Sequence, residues 1–142
     1  MQSSRVEKNY EIACKAEEIS PLLEKIFLEL DNSAVSAAEI KFCLEIAARE
    51  MLANAIEHGY ALAAEKNGRL KNFKIKLELQ ICSEKIVFKV KDPGPGFDWE
   101  NCDLEIKPSF AEKGRGLKMI NQVSDQMKFN SAGNKITAVF KL

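Results

Sequence analysis

The chain has 142 residues, 46% of them hydrophobic, which is enough for one compact domain to bury a core without metals or disulfides. Its 21 basic and 21 acidic side chains cancel, so no global positive field attracts nucleic acid or an anionic membrane. No stretch approaches the roughly 20 apolar residues that a membrane span requires, and residues 1–15 lack the apolar core of a signal peptide. We therefore expect a single domain over residues 1–142 in the cytoplasm, with no direct nucleic-acid partner and no membrane partner.

The first third of the chain carries strand and helix signals in succession. Residues 8–13 are compatible with a short strand. Residues 16–30 carry apolar side chains at intervals of three and four, the spacing of an amphipathic helix. The polar residues 31–33 predict a loop after this first helix.

A second helix is predicted from its capping signal. Ser36 and Glu39 are spaced as a capping box, in which each side chain bonds a free backbone N–H group of the other residue. Gly59 is the predicted stop, so this helix should end at about residue 58 or 60.

The middle of the chain predicts a β-hairpin. Residues 61–72 are polar and charged and separate the second helix from two strand-like runs, residues 73–82 and 85–90. Both runs alternate apolar and polar side chains, and Ser83 and Glu84 lie between them. Two alternating runs joined by a short polar turn predict an antiparallel pair.

The last third predicts one more helix and two closing strands. A Gly/Pro loop at residues 92–97 is followed by a turn at residues 114–116 that opens a third helix to about residue 123. Strands at residues 126–130 and 135–142 complete the pattern. Because strands and helices do not alternate strictly, we expect an α/β two-layer sandwich with a mixed, mostly antiparallel sheet and helices on one face.

Three short segments carry side chains or backbone suited to binding a ligand. Glu50 and Asn54 are four residues apart, so they share one face of the second helix. Glycines in the loop that starts at Asp92 permit close approach of the backbone to a ligand. Residues 114–116 lie at a helix start, where free N–H groups and the helix dipole favour phosphate. Each segment alone is more often a solvated helix face or a tight turn.

The order and spacing of the three segments are more specific than any one of them. EMLANAIEHGY at residues 50–60, DPGPGF at 92–97 and GRGLKMINQVSD at 114–125 resemble the N box and the two glycine boxes of the histidine-kinase-like, or Bergerat, ATPases. Within that superfamily the chain is most similar to the small anti-sigma-factor serine kinases of the RsbW and SpoIIAB type. The resemblance covers nearly the whole chain and implies the Bergerat ATP-binding fold.

The resemblance also implies roles for individual residues. Glu50 would be the general base and Asn54 a Mg²⁺ ligand through its amide oxygen. Asp92 would accept a hydrogen bond from the adenine amino group, giving a preference for ATP over GTP of roughly 5- to 150-fold. The other residues implied to contact the nucleotide are Gly94, Gly96, Lys113, Gly114, Arg115, Gly116 and Thr137. His58 is interpreted as a structural residue at the helix end.

The function implied by the resemblance is that of an ATP- and Mg²⁺-dependent protein serine/threonine kinase acting as an anti-sigma factor. Such a kinase phosphorylates a serine on a small STAS-type antagonist protein and thereby exchanges it for a sigma factor. Relatives of this type also imply a homodimer. Two alternatives stay open, namely a detached catalytic domain that transfers phosphate to a histidine of another protein, and a non-catalytic ATP-binding module.

Overall fold

The computed structural model describes residues 6–33, 35, 37–66, 74–92 and 112–142, and the side chains of residues 59–66 and 112–115 lie outside that description. The elements in chain order are β1 (Val6–Ala13), a 3-10 turn (Ala16–Glu18), α1 (Ile19–Asn32), α2 (Ala38–Lys66), β2 (Lys74–Ile81), β3 (Lys85–Lys91), α3 (Glu112–Val123), β4 (Gln126–Phe129) and β5 (Lys135–Lys141).

The strands form one sheet in the order β1-β2-β3-β5-β4, and each neighbouring pair is antiparallel. A tight turn joins β2 to β3, where the N–H group of Cys82 donates to the carbonyl of Lys85 at 2.9 Å. The predicted hairpin and the mostly antiparallel sheet are therefore confirmed. Since β3 is the middle strand, a residue that directly follows it lies midway across one end of the sheet.

Alternation along the strands divides the sheet into a buried and an outward face. The buried residues on the helix-facing side of the three middle strands are Ile75, Leu77, Leu79, Ile81, Ile86, Phe88, Val90, Ile136, Ala138 and Phe140. These residues form one hydrophobic core with buried side chains of the helices, such as Leu23, Leu44 and Ile120. The α/β architecture with helices on one face of the sheet is confirmed.

Helix α2 positions most of the site described below. Its buried side chains recur every three or four residues, as expected for a helix with one side on a core, and they are Leu44, Ala47, Ala48, Met51, Leu52, Ala55 and Ile56. Glu50 and Asn54 lie next to this stripe and are partly exposed. The helix therefore holds these two polar side chains at the border between core and solvent.

The structure corrects the predicted end of α2. Gly59 does not stop the helix, which continues to Lys66. Glycine in a helix interior costs only about 1 kcal/mol relative to alanine, and the following ALAAEK segment consists of strong helix formers. Although α2 spans 29 residues, none of the described helices combines the length and the apolar character needed to cross a membrane.

Smaller differences appear at the ends of the other helices. The first helix starts with a 3-10 turn and extends to Asn32, so the predicted loop at residues 31–33 narrows to Ser33, whose N–H group donates to carbonyls of the last turn. Ser36 lies outside the described residues, and the capping box stays a prediction. Helix ends fray and are the least certain part of sequence-based assignment.

Two phenylalanines offer a direct test of where the core lies. Phe88 is 0% exposed at the centre of the sheet, whereas Phe42 on α2 is 62% exposed. We expect Phe88→Ala to lower the free energy of unfolding by about 3 to 5 kcal/mol, because it removes buried apolar surface and leaves a cavity. The same substitution at Phe42 should change it by no more than about 0.5 kcal/mol. Urea unfolding followed by circular dichroism measures both, and equal losses would contradict this core.

Candidate functional site

A cavity of about 200 Å³ opens between α2, α3 and the adjoining ends of β3 and β5. Its apolar lining residues are Met51, Ala55, Val90, Leu117, Phe129 and Ile136, and its polar ones are Asn54, His58, Asp92, Asn134 and Lys135 together with Gly133. An apolar wall with few polar groups is typical of small-molecule sites, which enclose roughly 300 to 1,000 Å³ for a drug-sized ligand. The described walls are therefore sized for one ring system of such a ligand.

Asp92 is the polar centre of the cavity. It is 8% exposed and is the one buried charged residue in the described part of the chain. Its N–H group donates to the carbonyl of Asn134 at 2.9 Å, and its Oδ2 lies 3.0 Å from Nδ1 of His58. A buried charge is stable only when hydrogen bonds replace its lost hydration. His58 of α2 thus bonds the carboxylate itself, while the β4–β5 turn fixes the backbone of Asp92.

His58 donates a hydrogen bond to Asp92, and this bond determines which ring nitrogen carries the proton. An ionised carboxylate only accepts hydrogen bonds, so the proton of the bond to Asp92 resides on Nδ1 of His58. In a neutral ring, this leaves Nε2 as an acceptor. Sequence reasoning assigned His58 a structural role at the helix end and missed this contact. The sequence could nevertheless have predicted that His58 lies near the site. Glu50, Asn54 and His58 are spaced four apart and share one face of α2.

The charge of Asp92 also affects the nearby thiol of Cys14. Burial raises the pKa of the Cys14 thiol, the charge of Asp92 raises it further, and Lys74 partly opposes both effects. Cys14 is buried directly after β1, close enough to Asp92 to respond to its charge. A ligand group that meets Asp92 is therefore favoured if it donates a hydrogen bond and disfavoured if it presents an acceptor.

The turn between β4 and β5 forms the cavity wall opposite α2. Oδ1 of Asn130 accepts from the N–H groups of Gly133, Asn134 and Lys135 at 2.8, 3.0 and 3.2 Å. Gly133 has φ 78°, a left-handed conformation that glycine adopts without steric cost. The two strands that this turn joins were predicted from the sequence, but the place of the turn in the site was not. One asparagine thus fixes the backbone that contacts Asp92.

Gly116 brings α3 against the polar face of α2. A Cβ atom built on Gly116 would lie 2.8 Å from Oε2 of Glu50 and 3.6 Å from Oδ1 of Asn54. Any side chain here would displace the Glu50 carboxylate, so glycine permits the approach. The next residue, Leu117, lines the cavity. The structure therefore brings Glu50, Asn54 and Gly116 together beside the cavity that contains Asp92.

The start of α3 differs from the prediction. Residues 114–116 do not form a turn before the helix, because α3 already begins at Glu112. Glycine in a helix interior costs about 1 kcal/mol relative to alanine. At Gly116, the close contact with α2 explains why glycine is present despite this cost. Gly114 lies in the first turn, where N–H groups lack partners within the helix and can bind an anion.

Several predicted site residues cannot be placed. Gly94 and Gly96 lie outside the described residues, and so do the side chains of Lys113 and Arg115. Their predicted contacts with the nucleotide remain predictions. The backbone of Lys113 and Arg115 belongs to the first turns of α3.

Thr137 is not brought to the site. Its neighbours Ile136 and Ala138 are buried on the helix-facing side of β5, and Ile136 lines the cavity. Because successive side chains of a strand point to opposite faces, Thr137 lies on the outward face, between Lys89 of β3 and Lys128 of β4. The neighbouring Ile136 faces the cavity instead, since a shift of one residue moves a side chain to the other face of the sheet.

Residues 15–140 match the family described as the histidine kinase-like ATPase domain. The chain belongs to this family. The match runs from the end of β1 to β5 and includes every residue of the cavity described above. No curated protein matches the chain.

A histidine kinase-like ATPase domain binds ATP, and the site fits this ligand. The apolar cavity with one buried carboxylate suits a flat base that carries an N–H donor. The first turn of α3 supplies free N–H groups for phosphate, and the oxygen atoms of Glu50 and Asn54 lie beside Gly116 of the same helix. The domain is therefore an ATP-binding module of this family.

Gly116→Ala tests the close approach of the two helices. The new methyl group would meet the tip of the flexible Glu50 side chain, so we expect the carboxylate to swing away while the fold is retained. The family motif predicts Glu50 as the general base, and a displacement of about 1 Å at a reacting group costs roughly a hundredfold in rate, so we expect ATP turnover to fall by about that factor. Met119→Ala, at an exposed position of the same helix, is the control and should leave turnover unchanged. Wild-type turnover in Gly116→Ala would contradict the predicted role of the Glu50 carboxylate.

Proposed function

We propose that this domain is an ATP- and Mg²⁺-dependent protein serine/threonine kinase that acts as an anti-sigma factor and phosphorylates a serine on a small STAS-type antagonist. The observation that carries the proposal is the Glu50 carboxylate, which lies with Asn54 against Gly116 of α3. Membership of the histidine kinase-like ATPase family supports the ATP-dependent part. The likeness of the three motif segments to the anti-sigma-factor kinases supports the substrate class.

Glu50 is the proposed general base. In phosphoryl transfer to a serine, the hydroxyl oxygen forms a bond to the γ-phosphorus while the bond to the bridging oxygen breaks, and the hydroxyl proton needs an acceptor. Oε2 of Glu50 is a suitable acceptor because it lies beside the helix whose N-terminus receives the phosphates. The carboxylate takes up this proton and orients the attacking oxygen.

Asn54 is the proposed ligand of Mg²⁺. Magnesium prefers hard oxygen ligands and commonly uses one or two protein groups, with phosphate oxygens and water completing the octahedron. No group of three or more His, Cys, Asp and Glu side chains converges on a metal position in the described residues, so an all-protein cage is not the arrangement there. Bound with ATP, the ion would neutralise charge on the phosphates, and Asn54 would fix its position through Oδ1.

Asp92 is the proposed selector of adenine. Its buried carboxylate accepts a hydrogen bond from the exocyclic amino group, while Met51, Ala55 and Ile136 contact the ring. Guanine places a carbonyl oxygen at the corresponding position, which leaves the carboxylate facing another acceptor. Such a mismatch in a buried site costs about 1 to 3 kcal/mol.

The remaining parts of the proposal rest on the resemblance of the motif segments. They are the sigma factor as the sequestered partner, the antagonist as the substrate, the homodimer and the cytoplasmic location. A kinase of this kind changes partners when the antagonist is phosphorylated, so its nucleotide site and its protein-binding surfaces must communicate.

The test separates nucleotide binding from transfer. Wild type, Glu50→Gln and Asn54→Ala are compared in calorimetric binding of Mg-ATP and in transfer of the γ-phosphoryl group to a purified STAS-type antagonist. We expect Glu50→Gln to bind ATP within about threefold of wild type and to transfer at least about a hundredfold more slowly, because it loses only the base. Asn54→Ala should lose Mg²⁺-dependent ATP binding.

The chemistry of the product discriminates between kinase classes. Phosphoserine survives acid, so the phosphoryl group on the antagonist should remain after acid treatment. An antagonist in which the acceptor serine is replaced by alanine should take up no phosphoryl group. Acid-labile phosphate on a histidine would contradict the serine kinase. ATP binding without transfer to any antagonist would instead favour a non-catalytic module.

A further inference from the structure

The outward face of the sheet carries an unusual concentration of lysines. They lie on four neighbouring strands, and together they are called the lysine face: Lys76, Lys89, Lys91, Lys128 and Lys135. Lys76, Lys91 and Lys128 are exposed, and the other two are partly exposed. This face lies on the side of the sheet opposite the hydrophobic core.

The strand register places three of these lysines directly opposite one another. Lys76 of β2 is the partner of Lys91 of β3, and Lys91 is in turn the partner of Lys135 of β5. Side chains at such positions are about 5 Å apart at Cβ, and like charges there destabilise a sheet. The row therefore works against folding of the isolated domain. A face that lowers stability is often retained because it serves binding.

Compensating charge on this face is small. Glu78 bonds Lys135 at 3.4 Å and pairs with Lys89 at 3.8 Å, while Glu11 lies opposite Lys76 in the register. Against the five lysines of this face, these two glutamates leave three positive charges. The outward strand positions also include one more glutamate, Glu7, and three more lysines, Lys74, Lys85 and Lys141, so the excess on the whole outward side is larger. Lys76, Lys91 and Lys128 make no ion pair within the part of the chain that the structure describes. The chain as a whole is neutral, so the positive charge is local.

We propose that the lysine face is a docking surface for an acidic segment of a protein partner. Carboxylates of such a segment would fill the gaps between opposed ammonium groups and remove their repulsion. Val139, which lies opposite the buried Val87 and is itself partly exposed, adds a small apolar area to the same face. The proposal does not depend on the kinase activity proposed above.

Nucleic acid is a poorer fit to this face. Single-stranded nucleic acid binds on sheets through aromatic side chains that stack on bases. Outward positions of the described strands carry no aromatic residue, since Tyr10 and Phe129 lie on the side that packs against the core. A neutral chain also lacks the overall field that concentrates DNA around basic proteins.

The lysine face adjoins the ATP cavity along one edge. Lys91 directly precedes Asp92, and Lys135 directly follows Asn134 and itself lines the cavity. A partner bound to the row Lys76, Lys91 and Lys135 therefore lies at the end of the sheet where Asp92 follows β3. Lys135 belongs to both the lysine face and the cavity lining, so a partner that binds this face contacts a residue of the cavity.

The test uses fluorescein-labelled poly-L-glutamate as the acidic probe, with binding followed by fluorescence anisotropy at low salt in the absence of nucleotide. We expect the double variant Lys76→Gln/Lys91→Gln to bind the probe about tenfold more weakly than wild type. Lys15→Gln/Lys25→Gln makes the same change of net charge at exposed residues away from this face, and it should bind within about twofold of wild type.

A second readout excludes damage to the fold. Because Lys91 stands between two opposed lysines, its neutralisation should raise the urea midpoint of unfolding while binding weakens. The proposal is overturned if wild type does not bind the probe, or if both double variants bind equally well. It is also overturned if labelled duplex DNA binds more tightly than poly-L-glutamate in a manner that depends on Lys76 and Lys91.

Discussion

The buried carboxylate of Asp92 is the constraint on which the arrangement of this site depends. It extends from the middle strand of the sheet into an apolar cavity, where an unsatisfied charge would be strongly unfavourable. His58 from α2 and the backbone carbonyl of Asn134 from the β4–β5 turn both bond this residue. Three elements distant in sequence therefore meet at one point, and their meeting forms the cavity that we propose for the base of ATP.

A second constraint fixes how α3 lies against α2. Gly116 lets α3 contact α2 so closely that Glu50 and Asn54 lie within reach of its backbone. The N-terminus of α3 and the polar face of α2 then share one space, which combines free N–H groups with oxygen ligands. The outward side of the described strands carries opposed lysines, so the nucleotide binding and the protein docking that we propose lie on different faces of the sheet.

Patterns that repeat along the chain could be predicted, whereas contacts across the fold could not. Alternation predicted the hairpin, and four-residue spacing placed Glu50 and Asn54 on one helix face. Gly59 was misread as a stop because helix formers after it outweigh the cost of one glycine. Thr137 was misplaced because one residue of register decides which face a side chain occupies. The bond between His58 and Asp92 joins residues 34 positions apart, and no local pattern encodes such a pairing.

The most direct measurement is calorimetric binding of ATP and of GTP to wild type and to Asp92→Asn. We expect wild type to favour ATP by roughly 5- to 150-fold, and Asp92→Asn to bind ATP more weakly and to lose most of that preference, since its amide can also donate to guanine. Asp125→Asn, in which the replaced carboxylate accepts from the backbone of Lys141 away from the cavity, is the control and should behave as wild type. Equal affinity of wild type for both nucleotides, or an unchanged preference in Asp92→Asn, would contradict the role of Asp92 as the adenine selector.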